Sequence, residues 1–152
     1  MNLEKLHASL EGGISVLVAT ADANGIPSCC RGIAVRPGEG FETLTVYVPV
    51  ATAHETLANV ATTHRIAVSF TQPLPHNSIQ VKGVSRGVRM ASDAEQPFVR
   101  EELDKFAGQL DAIGLPRRIT RSITHWPAFA IDMSVEEVFD QTPGPKAGVP
   151  FK

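Results

Sequence analysis

Two short turns in the first third of the chain constrain the fold most strongly, because they separate three segments of strand character. Asp22-Ala-Asn-Gly25 lies between the apolar run 14–20 and the segment 27–35, and it has the composition of a hairpin turn. Arg36-Pro-Gly-Glu-Gly40 then separates that segment from a third, 41–48. Strands joined by such short connections run antiparallel, since a parallel pair needs a long crossover. The sequence therefore predicts an antiparallel meander at the start of a mainly β fold.

Helices are expected at several places between and after the strands. Leucine spacing predicts a short helix over 3–10, and Ser92-Asp-Ala-Glu95 reads as a capping box that opens the longest helix. Thr52 is the predicted N-cap of a helix over 54–63, with Glu55 completing a second capping box. The apolar stripe of the longest helix could pack on the sheet or on a second subunit, and it comprises Val99, Leu103, Phe106, Leu110 and Ile113.

The remaining segments complete a single domain of 152 residues. Further strands are predicted over 65–70, 78–90 and 128–138, with a short helix over 117–124 and an irregular tail over about 141–152. Six antiparallel strands with peripheral helices suggest a small barrel, because closing the sheet removes its exposed edges.

Bulk composition excludes several function classes. The formal net charge is −2, which gives no overall reason to expect nucleic acid as a partner. No apolar run reaches membrane-spanning length, and the first residues lack a signal-peptide core. The two cysteines, Cys29 and Cys30, are adjacent and cannot cross-link the fold, so a reducing cytoplasm is the expected location. No metal site is expected, since the histidines show no ligand spacing.

Arg31 and Arg36 are the first candidate functional residues, because two cations five residues apart on a strand could bind a phosphate. Guanidinium groups offer planar pairs of donors that match phosphate oxygens. The helix predicted to begin at His54 would add free backbone N–H groups and a positive dipole end. Gln80, on a later strand, carries an amide that both donates and accepts hydrogen bonds.

The order and spacing of these motifs resemble the FMN-binding split barrel of the pyridoxamine 5′-phosphate oxidase-like family. Arg31-Gly-Ile-Ala-Val-Arg36 matches the two spaced cations of that family, and Tyr47 matches its strand aromatic. Thr52-Ala53-His54 falls where the family has Ser-Arg-Lys, and Gln80-Val-Lys-Gly83 resembles its Gln-containing strand. The likeness covers residues 10–90 well and the remainder by the order of elements.

The resemblance implies a split barrel that binds FMN at the interface of a homodimer and passes electrons to or from a small-molecule substrate. It identifies no catalytic residues. It assigns cofactor contacts to seven residues: Arg31, Arg36, Tyr47, Thr52, His54, Gln80 and Lys82. Ala53 and His54 replace a basic pair of the family, which weakens the expected phosphate site. The family's Arg-rich C-terminal segment is absent here, so true pyridoxamine phosphate oxidase activity is not expected.

Other interpretations of the same residues remain open. The arginines could be ordinary surface residues of a strand, and Thr52 could serve only as a helix cap. Arg117, Arg118 and Arg121 could contact an anionic substrate or lie on a solvated helix. The scaffold could be a non-catalytic flavin-binding protein, could hold haem or a deazaflavin, or could be a ligand-free interaction module.

Overall fold

The computed structural model describes residues 3–151 as a curled antiparallel sheet surrounded by helices. The helices are α1 (Leu3–Leu10), α2 (His54–Thr63), α3 (Gln96–Ala112) and α4 (Arg117–Arg121). The strands are β1 (Ser15–Ala21), β2 (Pro27–Gly32), β3 (Ala34–Pro37), β4 (Thr43–Pro49), β5 (Arg65–Thr71), β6 (Ser78–Met90), β7 (Ala128–Asp140) and β8 (Val149–Pro150). Short 3₁₀ turns cover Glu39–Phe41, Val50–Thr52 and Asp93–Glu95.

The order of strands in the sheet explains how the barrel forms. Neighbouring strands follow the order β2-β1-β5-β6-β7-β4-β3, with β8 added beside β7. β2 and β3 are consecutive in the chain but lie at opposite ends of this order, so the sheet must curl to bring its ends together. At the join, the Ile33 N–H donates to the Tyr47 carbonyl oxygen of β4 at 2.9 Å. The predicted antiparallel split barrel is confirmed.

The predicted number of strands, six, is wrong. The segment 27–35 forms two strands, because the chain stops pairing with β1 at Gly32 and pairs with β4 from Ala34 onward. The tail predicted to be irregular supplies β8, in which Val149 pairs with Asp140 of β7.

Two clusters of buried apolar side chains form the core. The larger fills the barrel beneath α1 and α2, and it includes Leu6, Val16, Val18, Phe41, Leu44, Val46, Ala53, Phe70, Val81 and Ile131. The smaller lies under α3, and it comprises Ile33, Ala34, Tyr47, Ala91, Val99, Leu103, Ala128 and Ala130. The predicted stripe of α3 is therefore buried in its first part, whereas Ile113 beyond its end is 57% exposed.

The two predicted capping boxes have different outcomes. Ser92 and Glu95 form theirs, since the Ser92 backbone N–H donates to the Glu95 carboxylate at 2.8 Å. The prediction that Thr52 caps α2 is wrong: Ala53 occupies the N-cap position, and no side chain caps that helix. The Val50–Thr52 turn takes the Thr52 hydroxyl away from α2, and that hydroxyl donates to the Pro49 carbonyl oxygen at 3.4 Å. The short helix predicted over 117–124 ends at Arg121.

Candidate functional site

Three of the seven candidate residues lie on one face of the sheet, which we call the outer sheet face. Strand pairing defines two rows across it: Arg31, Leu17, Ser69 and Gln80 in one, and Cys29, Ala19, Ala67 and Lys82 in the other. Paired residues of an antiparallel sheet point to the same side. Arg31 and Gln80 are separated by three strand spacings, or about 14 Å. Three of the four side chains between the ends of the two rows are small, namely Ser69, Ala19 and Ala67, so this part of the face is open.

Arg31 is exposed at the β2 end of this face. One of its terminal nitrogens donates to the Ser15 hydroxyl at 3.3 Å, and its guanidinium carbon lies 5.9 Å from the centre of the Phe106 ring. The hydrogen bond is long and the aromatic contact is loose. Arg31 therefore keeps donors available for an incoming anion.

Gln80 and Lys82 hold the β6 end of the outer sheet face. The Gln80 amide nitrogen donates to the Ser69 hydroxyl, and its amide oxygen accepts from Gln141, both at 3.4 Å. These bonds are longer than the usual 2.9–3.0 Å, so a ligand could replace them at little cost. The Lys82 ammonium lies 4.8 Å above the Phe139 ring. Beside it, Lys82, Arg65, Ala19, Ala21 and Ala67 line part of an open cavity of about 250 Å³.

Arg36 and Tyr47 form a second group, at the other end of the strand order. The Arg36 guanidinium carbon lies 4.2 Å from the Phe98 ring centre and 5.9 Å from that of Tyr47. Phe98 and Phe106 are eight residues apart on α3, which is about 12 Å along the helix axis. The two arginines thus lie against separate turns of α3 rather than side by side.

Tyr47 is fully buried and its hydroxyl is committed to a neighbour. The hydroxyl donates to Glu95 Oε1 at 2.7 Å, while Arg89 donates to both Glu95 oxygens at 2.7 and 2.8 Å. The Arg89 guanidinium holds the pKa of Glu95 well below its usual range. Burial, followed by the bond to Glu95, raises the pKa of Tyr47 to about 12. Tyr47 therefore stays protonated at ordinary pH and supports Arg36 with its ring.

The start of α2 carries the remaining candidates, Thr52 and His54, both of which are exposed. β2 touches the first turn of α2 through Cys30, whose sulfur lies 3.0 Å from the Thr56 hydroxyl. Burial raises the pKa of the Cys30 thiol. Because successive strand residues point to opposite faces, Arg31 projects away from this contact. Ala53, the residue where the family has arginine, is fully buried in the larger core cluster.

Sequence reasoning missed the side chains that support these candidates. The Phe98 ring packs against the Arg36 guanidinium group. Glu95, which is bonded to Arg89, holds the Tyr47 hydroxyl in place. The sequence indicated only that Glu95 takes part in a capping box. Of the basic cluster after Pro116, Arg117 and Arg121 pair with α3 carboxylates, at 3.4 Å from Asp111 and 2.7 Å from Asp104. Contacts between distant segments of the chain gave no local signal in the sequence.

Two further searches concern the described part of the chain alone. Within residues 3–151, no three histidine, cysteine or carboxylate side chains come together as the ligands of a metal ion would. No helix in the same range has both the length and the apolar character needed to cross a membrane.

Neither a protein-family model nor the sequence of a curated protein matches this chain. Solved structures do match it. HupZ of Group A Streptococcus aligns with a TM-score of 0.58 and 18% identity, over 97% of this chain and 100% of that one. A Lactobacillus delbrueckii protein provisionally described as a pyridoxamine 5′-phosphate oxidase aligns with a TM-score of 0.55 and 16% identity, over 90% and 91%. An FMN-binding protein of Syntrophomonas wolfei aligns with a TM-score of 0.54 and 13% identity, over 90% and 89%.

Likeness at this level of identity establishes the fold. The shared architecture covers nearly the whole chain, including the α3 to β7 region that the sequence motifs do not reach. The chain therefore has the split-barrel fold of the pyridoxamine 5′-phosphate oxidase-like proteins.

Proposed function

We propose that this protein binds FMN on the outer sheet face and works as a homodimeric oxidoreductase on a small molecule. The observation that carries the proposal is the alignment of Arg31, Gln80 and Lys82 on one open face. Arg31 would hold the phosphate through its paired N–H donors. Gln80 would meet the polar edge of the flavin ring, to which its amide can both donate and accept.

Lys82 adds a positive charge two residues from Gln80, on the same side of β6. A cation beside the flavin edge would favour negative charge on the ring, and such contacts tune the electronics of a cofactor. When bound, the flavin supplies the electron-transfer chemistry. The side chains of Ala19 and Ala67 leave room for a flat ring against the sheet.

Phosphate binding would rest on Arg31, because Arg31 projects away from the side of β2 that contacts the start of α2 and its exposed residue His54. Arg36 of β3 lies against a separate turn of α3, at Phe98, and would contact a different part of the ligand. Ala53 removes one charged hydrogen bond relative to the family pattern. That loss is worth about 1.5–3 kcal/mol, or roughly ten- to a hundredfold in affinity.

A second copy of the chain is proposed to cover the outer sheet face. Leu17 is 43% exposed there, and together with Ala19 and Ala67 it forms an apolar patch between the polar residues at the two ends of the face. An exposed apolar patch with polar residues around it is typical of an interface. Light scattering on the purified protein is expected to give twice the 16.3 kDa chain mass, and a monomer would contradict this part of the proposal.

FMN titration of the purified protein tests the proposal directly. The protein should be yellow or take up added FMN with quenching of flavin fluorescence, and the absorption spectrum separates FMN from haem or a deazaflavin. Arg31→Ala should weaken binding roughly tenfold or more. The matched control is Arg100→Ala, since Arg100 is exposed on α3 away from this face. A protein that stays colourless with excess FMN would overturn the proposal.

A non-catalytic flavin-binding protein is the second candidate, and one observation favours it. Tyr47 and Glu95 satisfy each other and Arg89, so neither serves as an acid or base near the site. Reduction of bound flavin by NADH or NADPH followed by turnover of an electron acceptor would support the enzyme. Bound flavin that NADH and NADPH both fail to reduce would support the non-catalytic candidate.

A further inference from the structure

The second half of β6 has a free edge. β5 pairs with β6 only as far as Val84, opposite Arg65. Beyond that point the Ser85 N–H donates to the His64 carbonyl oxygen at 2.8 Å, where α2 ends. Within residues 3–151, the β6 segment 86–90 pairs with β7 alone. A strand with one unpaired edge offers a row of backbone donors and acceptors to another strand.

The register identifies the groups that face this free edge. The Ala91 N–H donates to the Ala128 carbonyl oxygen of β7 at 2.9 Å. Every second residue of an antiparallel strand directs its N–H and C=O to the same neighbour. Val88 and Met90 therefore direct theirs away from β7. Both side chains are also unusually exposed for apolar residues, at 40% for Val88 and 52% for Met90.

A groove runs beside the free edge, and we call it the α2–β6 groove. It encloses about 540 Å³ and is lined by Leu57, Val60, Ala61 and His64 of the α2 segment and by Ser85, Arg86, Gly87 and Val88 of β6. Val88 pairs with Ile131, and Met90 pairs with Phe129, so each shares a face with a side chain that packs in the larger core cluster. The groove therefore continues the core surface outward to the edge of the strand.

The charge at the groove is positive. Arg86 lines it, and within residues 3–151 no aspartate or glutamate does. The Arg86 Nε donates to the Ser134 hydroxyl at 3.1 Å, which holds the side chain in place. The two terminal nitrogens of its guanidinium group are left for a carboxylate, and such pairs are strong hydrogen bonds.

From these observations we infer that the α2–β6 groove binds an extended peptide segment of a partner protein, which adds as a strand to the free edge of β6. Strand addition beside a helix supplies backbone hydrogen bonds for affinity and a groove for alternate side chains. The partner segment would place apolar side chains against Leu57 and Val88 and an acidic side chain at Arg86. This groove lies beyond the bulge after Ser85 and apart from the flavin face, so the inference does not depend on FMN binding.

A short fluorescent peptide can test the inference on the full chain. The probe is Val-Thr-Val-Thr-Glu, labelled at its N-terminus and amidated at its C-terminus. In antiparallel pairing its two valines and its glutamate lie on one face, with the glutamate beside Arg86. Saturable binding by fluorescence anisotropy is expected. The same peptide with lysine in place of glutamate, or with N-methylated backbone amides, should bind at least about tenfold more weakly.

Amide hydrogen exchange locates the bound peptide. The Val88 and Met90 amides should become protected when it binds, whereas the Arg89 amide, which faces β7, should change little. Ala61→Trp should block the groove and abolish binding. Ala58→Trp is the matched control, because Ala58 is also exposed on α2 but does not line the groove.

Three results would overturn the inference. The first is the absence of saturable binding, or binding that Ala61→Trp leaves intact. The second is protection of Val88 and Met90 that grows with protein concentration without peptide, which would make this edge a contact between copies of the chain. The third is binding of decanoate in the groove that neither protects these amides nor is displaced by the peptide, which would assign the groove to a small amphiphile.

Discussion

Glu95→Gln is expected to destabilise the protein by about 3 kcal/mol, although it preserves the size of the side chain. Glu95 is almost buried, and its carboxylate accepts from the Tyr47 hydroxyl, both terminal nitrogens of Arg89 and the Ser92 backbone N–H. A glutamine side chain has one acceptor oxygen where glutamate has two. The donors that bind the second carboxylate oxygen would therefore lose their acceptor. A hydrogen bond to a charged group contributes about 1.5–3 kcal/mol, and a helix cap about 1 kcal/mol. The Arg89 part is discounted because that side chain is 45% exposed.

Chemical denaturation followed by the fluorescence of Trp126 measures this loss. Trp126 is the single tryptophan of the chain and packs against the cluster that contains Tyr47. For a chain of this size, about 3 kcal/mol corresponds to a fall in Tm of roughly 6–12 °C. The matched control is Glu101→Gln, because Glu101 is 65% exposed and pairs with Lys105 at the surface. Its expected cost is below about 1 kcal/mol.

The pH dependence gives an independent check on the same residue. The folded pKa of Glu95 lies below its unfolded value, so its stabilising contribution is complete above about pH 4.3 and is lost as pH falls toward the folded pKa. Stability of the unmodified protein should therefore decrease on acidification below that value, and the Glu95→Gln variant should show a smaller decrease. Equal stability losses in the Glu95 and Glu101 variants, with parallel acid profiles, would refute this account of the network.

Two further predictions concern Tyr47 and Gly83. The pKa of Tyr47 in the folded protein is raised to about 12. Its contribution to the stability of the fold is therefore complete below about pH 10 and is lost as pH rises toward 12. Tyr47→Phe should lower the stability of the protein by about 1.5–3 kcal/mol at neutral pH, and the variant should lose less stability than the unmodified protein at alkaline pH. Denaturation measured over alkaline pH tests this, and the same dependence of stability on pH in both proteins would contradict it. Gly83→Ala should destabilise the protein by more than about 3 kcal/mol, because a Cβ there would lie 1.8 Å from the Ser134 carbonyl oxygen of β7. Gly87→Ala has open space and is the control; comparable midpoints of thermal unfolding for the two variants would contradict the steric argument.

Local chemistry in the sequence accounts for much of the fold. Gly25 adopts the positive φ that the first turn requires, at +81°, and the Ser92–Glu95 box forms as predicted. The change of partner strand after Gly32 was missed because the segment 27–35 has strand character throughout. Gly32 itself marks the change of partner strand, because the chain passes so close to Val16 there that a Cβ at position 32 would lie 2.7 Å from the Val16 side chain. Thr52 was misassigned because a turn of three residues placed Ala53 at the cap, and residue preferences alone did not reveal that turn.

The candidate site was predictable as individual residues but not as an arrangement. The alternation of side chains along a strand predicts which residues of β2 share a face with Arg31 and which residues of β6 share a face with Gln80. It does not predict that Arg31 and Gln80 lie on the same face of the sheet, because that depends on how β2, β1, β5 and β6 pair. The position of Arg36 depends on Phe98, which lies 62 residues later in the chain and has no sequence link to it. The assignment of these residues to a flavin remains a prediction.

Ala53, which stands where the family pattern has arginine, has a structural role besides removing one positive charge. Ala53 is fully buried among the larger core cluster and forms the N-cap of α2, so an arginine at this position would have to leave the core or bury its charge. Position 53 is therefore a packing position in this structure. In the proposed site the charged contact to the phosphate comes instead from Arg31 on the outer sheet face, which is held only loosely by Ser15 and Phe106. For the same reason, the Arg31→Ala titration tests the proposed function more severely than restoration of an arginine at position 53 would.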